Sequence, residues 1–541
     1  MAEKKPAQLM SIKDGNEEKL HIRTTSSVVS LDRTNPKLPE NIYDIQALAN
    51  ALGKLAFLDD TVDPPEPEPE PPLPCKNLTA VATRSAIQLT WEDPDDDTWA
   101  STRIVRKTGG YPTSETDGTI VTTTYVKNQY QSSSFLDDGL SSGVTYYYRA
   151  FSCSSKGIFN TEDQVTASAT IKTSTYKIMT VKIDLYDSNP QTCGSFADDA
   201  LAMPYGKESA AIEKWHEFFG YKPCLFKNGA VVGYLNPNNY SEYEDGSYAD
   251  ITSGNSGDVM VEFPRRGIKM YNTSNHLVIS MTDDPDDPDF TYYAHTRGSE
   301  RKDAFYLGAY LASYNAAGFH SLSGGDIVHG FTFENIKTSA KVQYMTFYMW
   351  TYIQVMYCLQ FRGDLRSDDI LPSGYVDLYA TYTTGVTNRY GLIYGDSKPD
   401  DDTRNKLFGL EDPHSFYDQY LDGILHDATS NTIYIATDNF SPDGKTVTES
   451  YVRYDDILPA NEFDGILTRV VGTSECGFLP KKVSGSSSST YFCDYVNFDQ
   501  DETAIAVGRS STYATYGGLF SIGTIDNKTV SQFRSFRISY L

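Results

Sequence analysis

The feature that most constrains this 541-residue chain is a run of alternating proline and glutamate between residues 64 and 74. Proline lacks a backbone N–H and fixes φ, so such a run enters neither a helix nor the interior of a sheet. It adopts the extended polyproline II conformation, and repulsion between the glutamates stiffens it. At about 3.1 Å per residue it spans roughly 30 Å. Residues 63–74 are therefore predicted to be a stiff spacer, with an ordinary interdomain linker as the alternative.

The net charge limits the classes of partner. The formal charge is -26, which argues against nucleic-acid binding, because that function needs a basic surface. It also disfavours docking on anionic lipid. The stretch 342–361 is as long as a membrane span, but its glutamine, threonine and tyrosine content predicts a buried helix instead. The N-terminus lacks the apolar core of a signal peptide, so we expect synthesis in a cytoplasm without membrane insertion.

The seven cysteines are scattered, odd in number and without a CxxC pair. This pattern predicts free thiols in a protein that folds in a reducing compartment. The cysteines are Cys75, Cys153, Cys193, Cys224, Cys358, Cys476 and Cys493.

Residues 1–62 form a polar segment that ends in a helix signal. Apolar residues recur at three- and four-residue steps from Ile42 to Ala56, and Asn41 is placed to cap the start. A helix this short is not stable alone. It packs either on its own small domain or on copies of itself, as in a short trimeric coiled coil. We therefore assign residues 1–62 to anchoring and oligomerisation.

Residues 75–174 have the alternating pattern of a β-sandwich. Ile87, Leu89 and Trp91 alternate with polar residues and are predicted to face inward. The segments NLTAVATRSAIQLTWEDPDD, TRIVRKTGGYPTSETDGTIV and LDDGLSSGVTYYYRAFS resemble a fibronectin type III domain. The resemblance implies that Trp91 is the core tryptophan and Tyr146 the residue of the tyrosine corner. It also implies a spacer or adhesive module.

Residues 175–541 are predicted to form one large α+β domain. A helix is expected from about Glu208, strands at 259–263 and 276–280, and a long helix at 339–363. In order, FYLGAYLASY, YMWTYIQVMYCLQFRGDLRSD, FGLEDPHSFYDQYLDGI and the ending FRSFRISYL resemble the C-type-lectin-like fold in its phage and formylglycine-generating-enzyme-like form. The likeness covers roughly residues 200–541. The fold class is thus predicted to be multidomain and mainly β.

The resemblance implies a non-enzymatic protein of a bacteriophage particle, a head fibre, capsid decoration or tail fibre at the virion surface. Residues 1–62 would bind capsid or tail proteins, as a homo-oligomer and most simply a trimer. The last hundred residues would bind a host-surface glycan or protein. Exposed aromatic and polar residues suit such contacts. The predicted contact residues are Tyr491, Phe492, Asp494, Tyr495, Arg509, Tyr513 and Tyr516.

Catalytic motifs are missing from the sequence: it has no Walker loop, GxSxG, HExxH or GxGxxG. The enzymatic branch of the resembled family uses a close cysteine pair, whereas Cys476 and Cys493 are seventeen residues apart. We expect no cofactor. The acidic segments 283–289 and 400–402 offer the best candidate ligands, for calcium, but are more simply solvated loops. A metal site of His414 and His426 with the nearby Asp418 and Asp422 is also less expected than a solvated loop. Two alternatives stay open: a virion enzyme that degrades host polysaccharide, and a purely architectural decoration.

Overall fold

In the computed structural model, the protein is mainly β, with few helices and several separate sheets. The fold-class prediction is confirmed at this level. The structure describes residues 8–14, 17–23, 28–31, 70–83, 86–171, 175–187, 189–340, 343–372, 381–395, 404–414, 417–427, 429–455, 464–484, 494–498, 504–508, 517–526, 528 and 530–541.

The N-terminal strands form one antiparallel sheet in the order β1-β2-β3. They are β1 (Gln8–Asp14), β2 (Glu17–Arg23) and β3 (Val28–Leu31). The predicted helix from Ile42 to Ala56 and most of the proline-glutamate spacer lie outside the described residues.

The next seven strands form two sheets, β4-β5-β8 and β10-β9-β6-β7. Ile87, Leu89 and Trp91 are buried between them, as their alternation predicted. The phenol oxygen of Tyr146 accepts a hydrogen bond from the backbone N–H of Ser141 at 3.0 Å, which ties the loop before β9 to the sandwich. The strands are β4 (Lys76–Ala82), β5 (Ile87–Glu92), β6 (Trp99–Thr108), β7 (Thr119–Thr124), β8 (Phe135–Asp137), β9 (Thr145–Ser154) and β10 (Val165–Thr170).

A buried carboxylate organises one end of this sandwich. Asp93 accepts hydrogen bonds from the indole N–H of Trp91 at 3.1 Å, the hydroxyl of Thr102 at 2.6 Å and the backbone N–H of Asn128 at 2.6 Å. Three donors satisfy a charge that would otherwise be costly to bury.

The remaining described chain contains three larger sheets, with orders β12-β11-β18-β17, β15-β14-β13-β16-β21-β35 and β28-β27-β26-β32-β33-β31-β29-β30, the last joined by β34 beside β26. We call the second of these the central sheet. The strands are β11 (Ile178–Asp184), β12 (Gly194–Asp198), β13 (Lys222–Lys227), β14 (Ala230–Asn236), β15 (Asn239–Tyr243), β16 (Asp258–Pro264), β17 (Gly267–Asn272), β18 (His276–Thr282), β19 (Thr296–Arg297), β20 (Glu300–Arg301), β21 (Ala304–Gly308), β22 (Ser313–Asn315), β23 (Gly318–His320), β24 (Lys406–Leu407), β25 (Leu410–Glu411), β26 (Asp418–Asp427), β27 (Thr432–Ile435), β28 (Val452–Tyr454), β29 (Asp464–Thr473), β30 (Gly477–Ser484), β31 (Tyr495–Asn497), β32 (Ala504–Val507), β33 (Ile522–Ile525), β34 (Arg534–Ser535) and β35 (Ser539–Tyr540).

The helix expected from about Glu208 is confirmed: Glu208 is the residue before α1 (Ser209–Phe219). The long helix expected near 339–363 is confirmed as α3 (Phe347–Gln360), which begins later than predicted. It is preceded by α2 (Phe333–Ala340) and followed by the short α4 (Ser367–Ile370). Thr346 is extended, and its side chain accepts from the N–H of Met349, so it caps and starts α3.

Helix α3 is buried along its whole length and forms the centre of the main core. A helix that is apolar on all sides needs neighbours on all sides, and here sheets supply them. Within the part of the chain that the structure describes, no helix combines the length and the apolar character that a membrane crossing requires.

The central sheet separates two hydrophobic clusters. Leu225 and Val261 face the main core with α3, whereas Cys224, Phe226 and Met260 face a second cluster on the other side. This follows from the two-residue period of strands. The second cluster also contains Phe333 of α2 and residues of the C-terminal segment. Its outer side chains are only partly buried, so this layer opens to solvent.

The C-terminal segment is held by a buried arginine. The guanidinium of Arg537 donates to the carbonyl of Gly308 at 2.6 Å and to that of Glu411 at 2.6 Å. The side chain of Glu411 in turn accepts from the N–H of Gly385 at 2.8 Å and from the N–H of Thr387 at 2.7 Å. One buried network therefore fixes the end of the chain and a distant loop together.

Candidate recognition surface

The predicted contact residues fall mostly outside the described part of the chain. Asp494 is buried, and its carboxylate accepts from the N–H of Phe520 at 2.9 Å. Asp494 therefore lies in the interior, where its side chain does not face a ligand at the surface. Tyr495 begins β31 and is partly exposed. The residues that lie outside the described chain are Tyr491, Phe492, Arg509, Tyr513 and Tyr516.

A different surface brings aromatic side chains together, over the second hydrophobic cluster. Its most exposed members are Tyr314 and Tyr540, at 62% and 38% of their maximal accessible area. We call this surface the aromatic face. It consists of Phe226, Tyr234, Tyr306, Tyr314, Phe319, Phe331 and Tyr540.

One half of the aromatic face is built on the central sheet. Lys222, Glu262, Tyr306 and Tyr540 lie opposite one another on four neighbouring strands, so their side chains share one face. Phe226 fills the floor beside this row. Its ring centre lies 4.4 Å from that of Tyr306 and 4.9 Å from that of Tyr540. Cross-strand packing of this kind holds the rings in fixed positions.

Glu262 is the polar centre of this half. Its carboxylate accepts from the phenol of Tyr306 at 2.9 Å, and the phenol of Tyr234 lies 3.2 Å from both of its oxygens. The ammonium of Lys222 lies 4.8 Å from the centre of the Tyr234 ring. The carboxylate thus accepts from two tyrosines, and one of these rings also lies beside a cation.

The two phenols are firmly protonated. Burial and then the negative charge of Glu262 raise the pKa of Tyr234 to about 12. Burial and then the hydrogen bond to Glu262 raise the pKa of Tyr306 well above its usual value. Each phenol therefore donates its only hydrogen to the carboxylate, and its oxygen retains lone pairs that can accept.

The other half is a hairpin of β22 and β23. Tyr314 and Phe319 lie opposite each other in it, with ring centres 4.9 Å apart. Phe319 also contacts Phe331 at 5.6 Å and Phe536 of the C-terminal segment at 5.1 Å. The exposed Tyr314 is thus supported by rings that continue into the core.

An acid–histidine pair joins the two halves. His320 Nδ1 lies 3.0 Å from Asp258 Oδ1, which also accepts from the N–H of Ser321 at 2.9 Å. Burial raises the pKa of Asp258, and these hydrogen bonds oppose the rise. The hydroxyl of Ser321 donates to a backbone carbonyl of β16. Asp258, His320 and Ser321 therefore do not form a relay that would activate a serine nucleophile.

The acidic segment 283–289 forms turns. Asp284 and Asp287 each accept from the backbone N–H two residues ahead, at 3.1 and 3.0 Å, as aspartates do in Asx turns. The segment 400–402 lies outside the described residues. In the described ranges, no three His, Cys, Asp or Glu side chains are grouped closely enough to hold a metal ion.

His414, His426 and the described cysteines lie in the interior. His414 and His426 are buried, and His426 Nε2 lies 3.1 Å from the side-chain oxygen of Asn431. Asp422 pairs with Lys337. The prediction of free thiols is confirmed for the six described cysteines, all of which are buried. Burial raises the pKa of Cys476 to about 11, which makes it a poor nucleophile at neutral pH.

The aromatic face offers ring surfaces for stacking, carboxylate and phenol oxygens as acceptors, and one ammonium as a donor. These groups stand on strands, so a ligand would meet a surface that is already ordered. Comparison of the chain with protein-family models and with curated protein sequences finds no match.

Proposed function

We propose that this chain is a non-enzymatic structural and adhesive protein of a bacteriophage particle. It is displayed at the virion surface and binds a host-surface glycan or protein through the aromatic face. The observation that carries this proposal is the set of partly exposed rings arranged around Glu262 on a paired sheet.

A cluster of aromatic rings that is partly exposed suggests recognition. Isolated apolar residues are common on protein surfaces, but contiguous apolar patches mark interaction sites. Aromatic anchors with ordered polar neighbours carry much of the binding energy at interfaces. The side chain of Tyr314, 62% exposed, is placed to be such an anchor.

The proposed modules also rest on strand order. A sandwich of β4-β5-β8 against β10-β9-β6-β7, with Tyr146 bonded to the preceding loop, supports a fibronectin type III assignment for residues 75–174. In the C-terminal part, the FYLG strand β21 pairs with the closing strand β35, and α3 fills the core. Both features support a C-type-lectin-like fold for residues 175–541.

The test is binding of the fluorescently labelled full-length chain to candidate host cells, with phage adsorption as the competing process. We expect saturable binding that competes with adsorption. The double variant Tyr314→Ala, Tyr540→Ala should bind at least tenfold more weakly, because both side chains are exposed parts of the aromatic face.

The control is Tyr390→Ala, which removes a tyrosine that is 48% exposed but stacks on Tyr394, outside the aromatic face. Equal losses in control and double variant would refute the assignment of this surface. A folded chain that binds no host cell would refute adhesion. Release of sugar from isolated host polysaccharide would favour the enzyme, and loss of particle stability on deletion would favour architecture.

A further inference from the structure

We infer that the part of the aromatic face around Glu262 is a subsite for a sugar that donates hydrogen bonds, a neutral or amino sugar and not an acidic one. This inference rests on the proposed function and adds the class of ligand. It depends on three properties of the subsite: a stacking surface, a surplus of acceptors and the balance of charge.

The stacking surface is formed by Tyr306 and Tyr540, which lie opposite each other on β21 and β35. Phe226 supports both rings from below at 4.4 and 4.9 Å. Sugar rings carry an apolar C–H face, and flat aromatic side chains that are amphipathic bind such a face well. Since Tyr540 is 38% exposed, a ligand can reach its ring without displacing the core.

The surplus of acceptors follows from the direction of the hydrogen bonds. The phenols of Tyr234 and Tyr306 both donate to Glu262. A carboxylate has about four lone-pair positions, and each phenol oxygen keeps lone pairs after donating its hydrogen. The lone pairs that remain on all three groups can therefore only accept hydrogen bonds. A matching ligand has to bring the donors, as hydroxyl or ammonium groups do.

The balance of charge excludes anionic sugars. Asp258 and Glu262 occupy the same face of β16, and the charge of Glu244 also acts on Tyr234. The ammonium of Lys222, which lies opposite Glu262 on the neighbouring strand, supplies a positive charge. Asp258 is paired with His320, so Glu262 and Glu244 are left as two carboxylates against the one ammonium of Lys222, and this surplus of negative charge repels a uronate or a sialylated sugar. The chain as a whole, at a formal charge of -26, adds to the repulsion.

The experiment uses oligosaccharides released from the surface of the bound host cells and separated by ion exchange into an acidic fraction and a neutral-plus-basic fraction. Each fraction competes with the labelled full-length chain for the cells. We expect the neutral-plus-basic fraction to compete at least tenfold better than the acidic one. Glu262→Gln and Tyr540→Ala should each weaken cell binding at least tenfold, and Tyr306→Phe, which keeps the ring, should weaken it less than Tyr306→Ala.

Melting curves of the variants distinguish lost contacts from lost folding, and Tyr390→Ala again serves as the control. Competition by the acidic fraction alone would overturn the inference. So would cell binding that persists unchanged in Glu262→Gln and Tyr540→Ala, although adhesion through another ligand would then still stand. A wild-type chain that binds no host cell would instead remove the proposed function itself.

Discussion

The pH dependence of the free energy of unfolding should reveal the burial of a lysine side chain. Lys406 is completely enclosed; its ammonium donates to the carbonyl of Thr387 at 3.1 Å and lies 3.7 Å from the centre of the Tyr240 ring. Burial lowers the pKa of Lys406 to about 7, and the nearby Glu411 opposes the change. The unfolded chain holds the same proton up to a pKa of about 10.4.

The sign follows from proton counting. Between pH 7 and about 10.4 the unfolded state binds more protons at this residue than the folded state, so this lysine makes the fold more stable as pH rises. Each pKa unit corresponds to about 1.4 kcal/mol; because the folded lysine is still half protonated at pH 7, the gain between pH 7 and pH 9 is about 2 kcal/mol. Lys406→Met removes this contribution while keeping an unbranched side chain of similar length.

The assay is urea unfolding of wild type and Lys406→Met at pH 7 and pH 9. Unfolding is monitored by hydrogen exchange in peptides that cover residues 404–412. The free energy of unfolding of the methionine variant minus that of wild type should decrease by about 2 kcal/mol from pH 7 to pH 9. Lys269→Met, at an exposed position of β17, is the matched control. The same difference between variant and wild type at both pH values would refute the reasoning, since it would mean that Lys406 titrates alike in both states.

The remaining predictions concern buried hydrogen bonds. Asp93→Ala should destabilise the sandwich by about 3 kcal/mol, because it leaves the buried donors of Trp91 and Thr102 and the half-buried N–H of Asn128 without an acceptor; calorimetry should show the loss in the sandwich transition alone. Arg537→Met should lower the melting temperature of the C-terminal part, because two carbonyls lose a charged donor; an unchanged transition would show that water replaces it. Glu411→Gln should speed hydrogen exchange at Thr387, because the N–H of Thr387 donates to the Glu411 carboxylate in the wild type. Protection of this N–H equal to that in the wild type would contradict the prediction.

The local sequence pattern predicted the structure correctly where the outcome depends on a single strand or helix. The alternation of Ile87, Leu89 and Trp91 predicted their burial, because a strand of a sandwich has one inward face. The helix start near Glu208 was also predictable from the sequence. The start of α3 was predicted too early, because the capping residue Thr346 stands within a run of apolar and aromatic residues that resembles the helix itself.

The aromatic face could not be read from the sequence. Its rings come from β13, β14, β21, the β22–β23 hairpin, the segment before α2 and β35. Only the register of the central sheet places Glu262 opposite Tyr306 and Tyr306 opposite Tyr540. The signal that existed was local: Tyr306, Tyr314 and Phe319 all lie near the FYLG motif. Asp494 shows the converse, since its position near the end suggested a surface although its neighbours enclose it.

Residues 536–540 connect the interior with the aromatic face. Phe536 and Ile538 pack into the second cluster, and Tyr540 follows on the same side at two-residue steps, so it emerges on the aromatic face. Arg537 points the other way and is fixed by carbonyls of β21 and β25. Strand period and a buried cation together hold a tyrosine next to the last residue of the chain in place. The position of Tyr540 in the aromatic face is therefore fixed by its neighbours, because Phe536 and Ile538 pack in the second cluster and Arg537 is hydrogen-bonded in the interior.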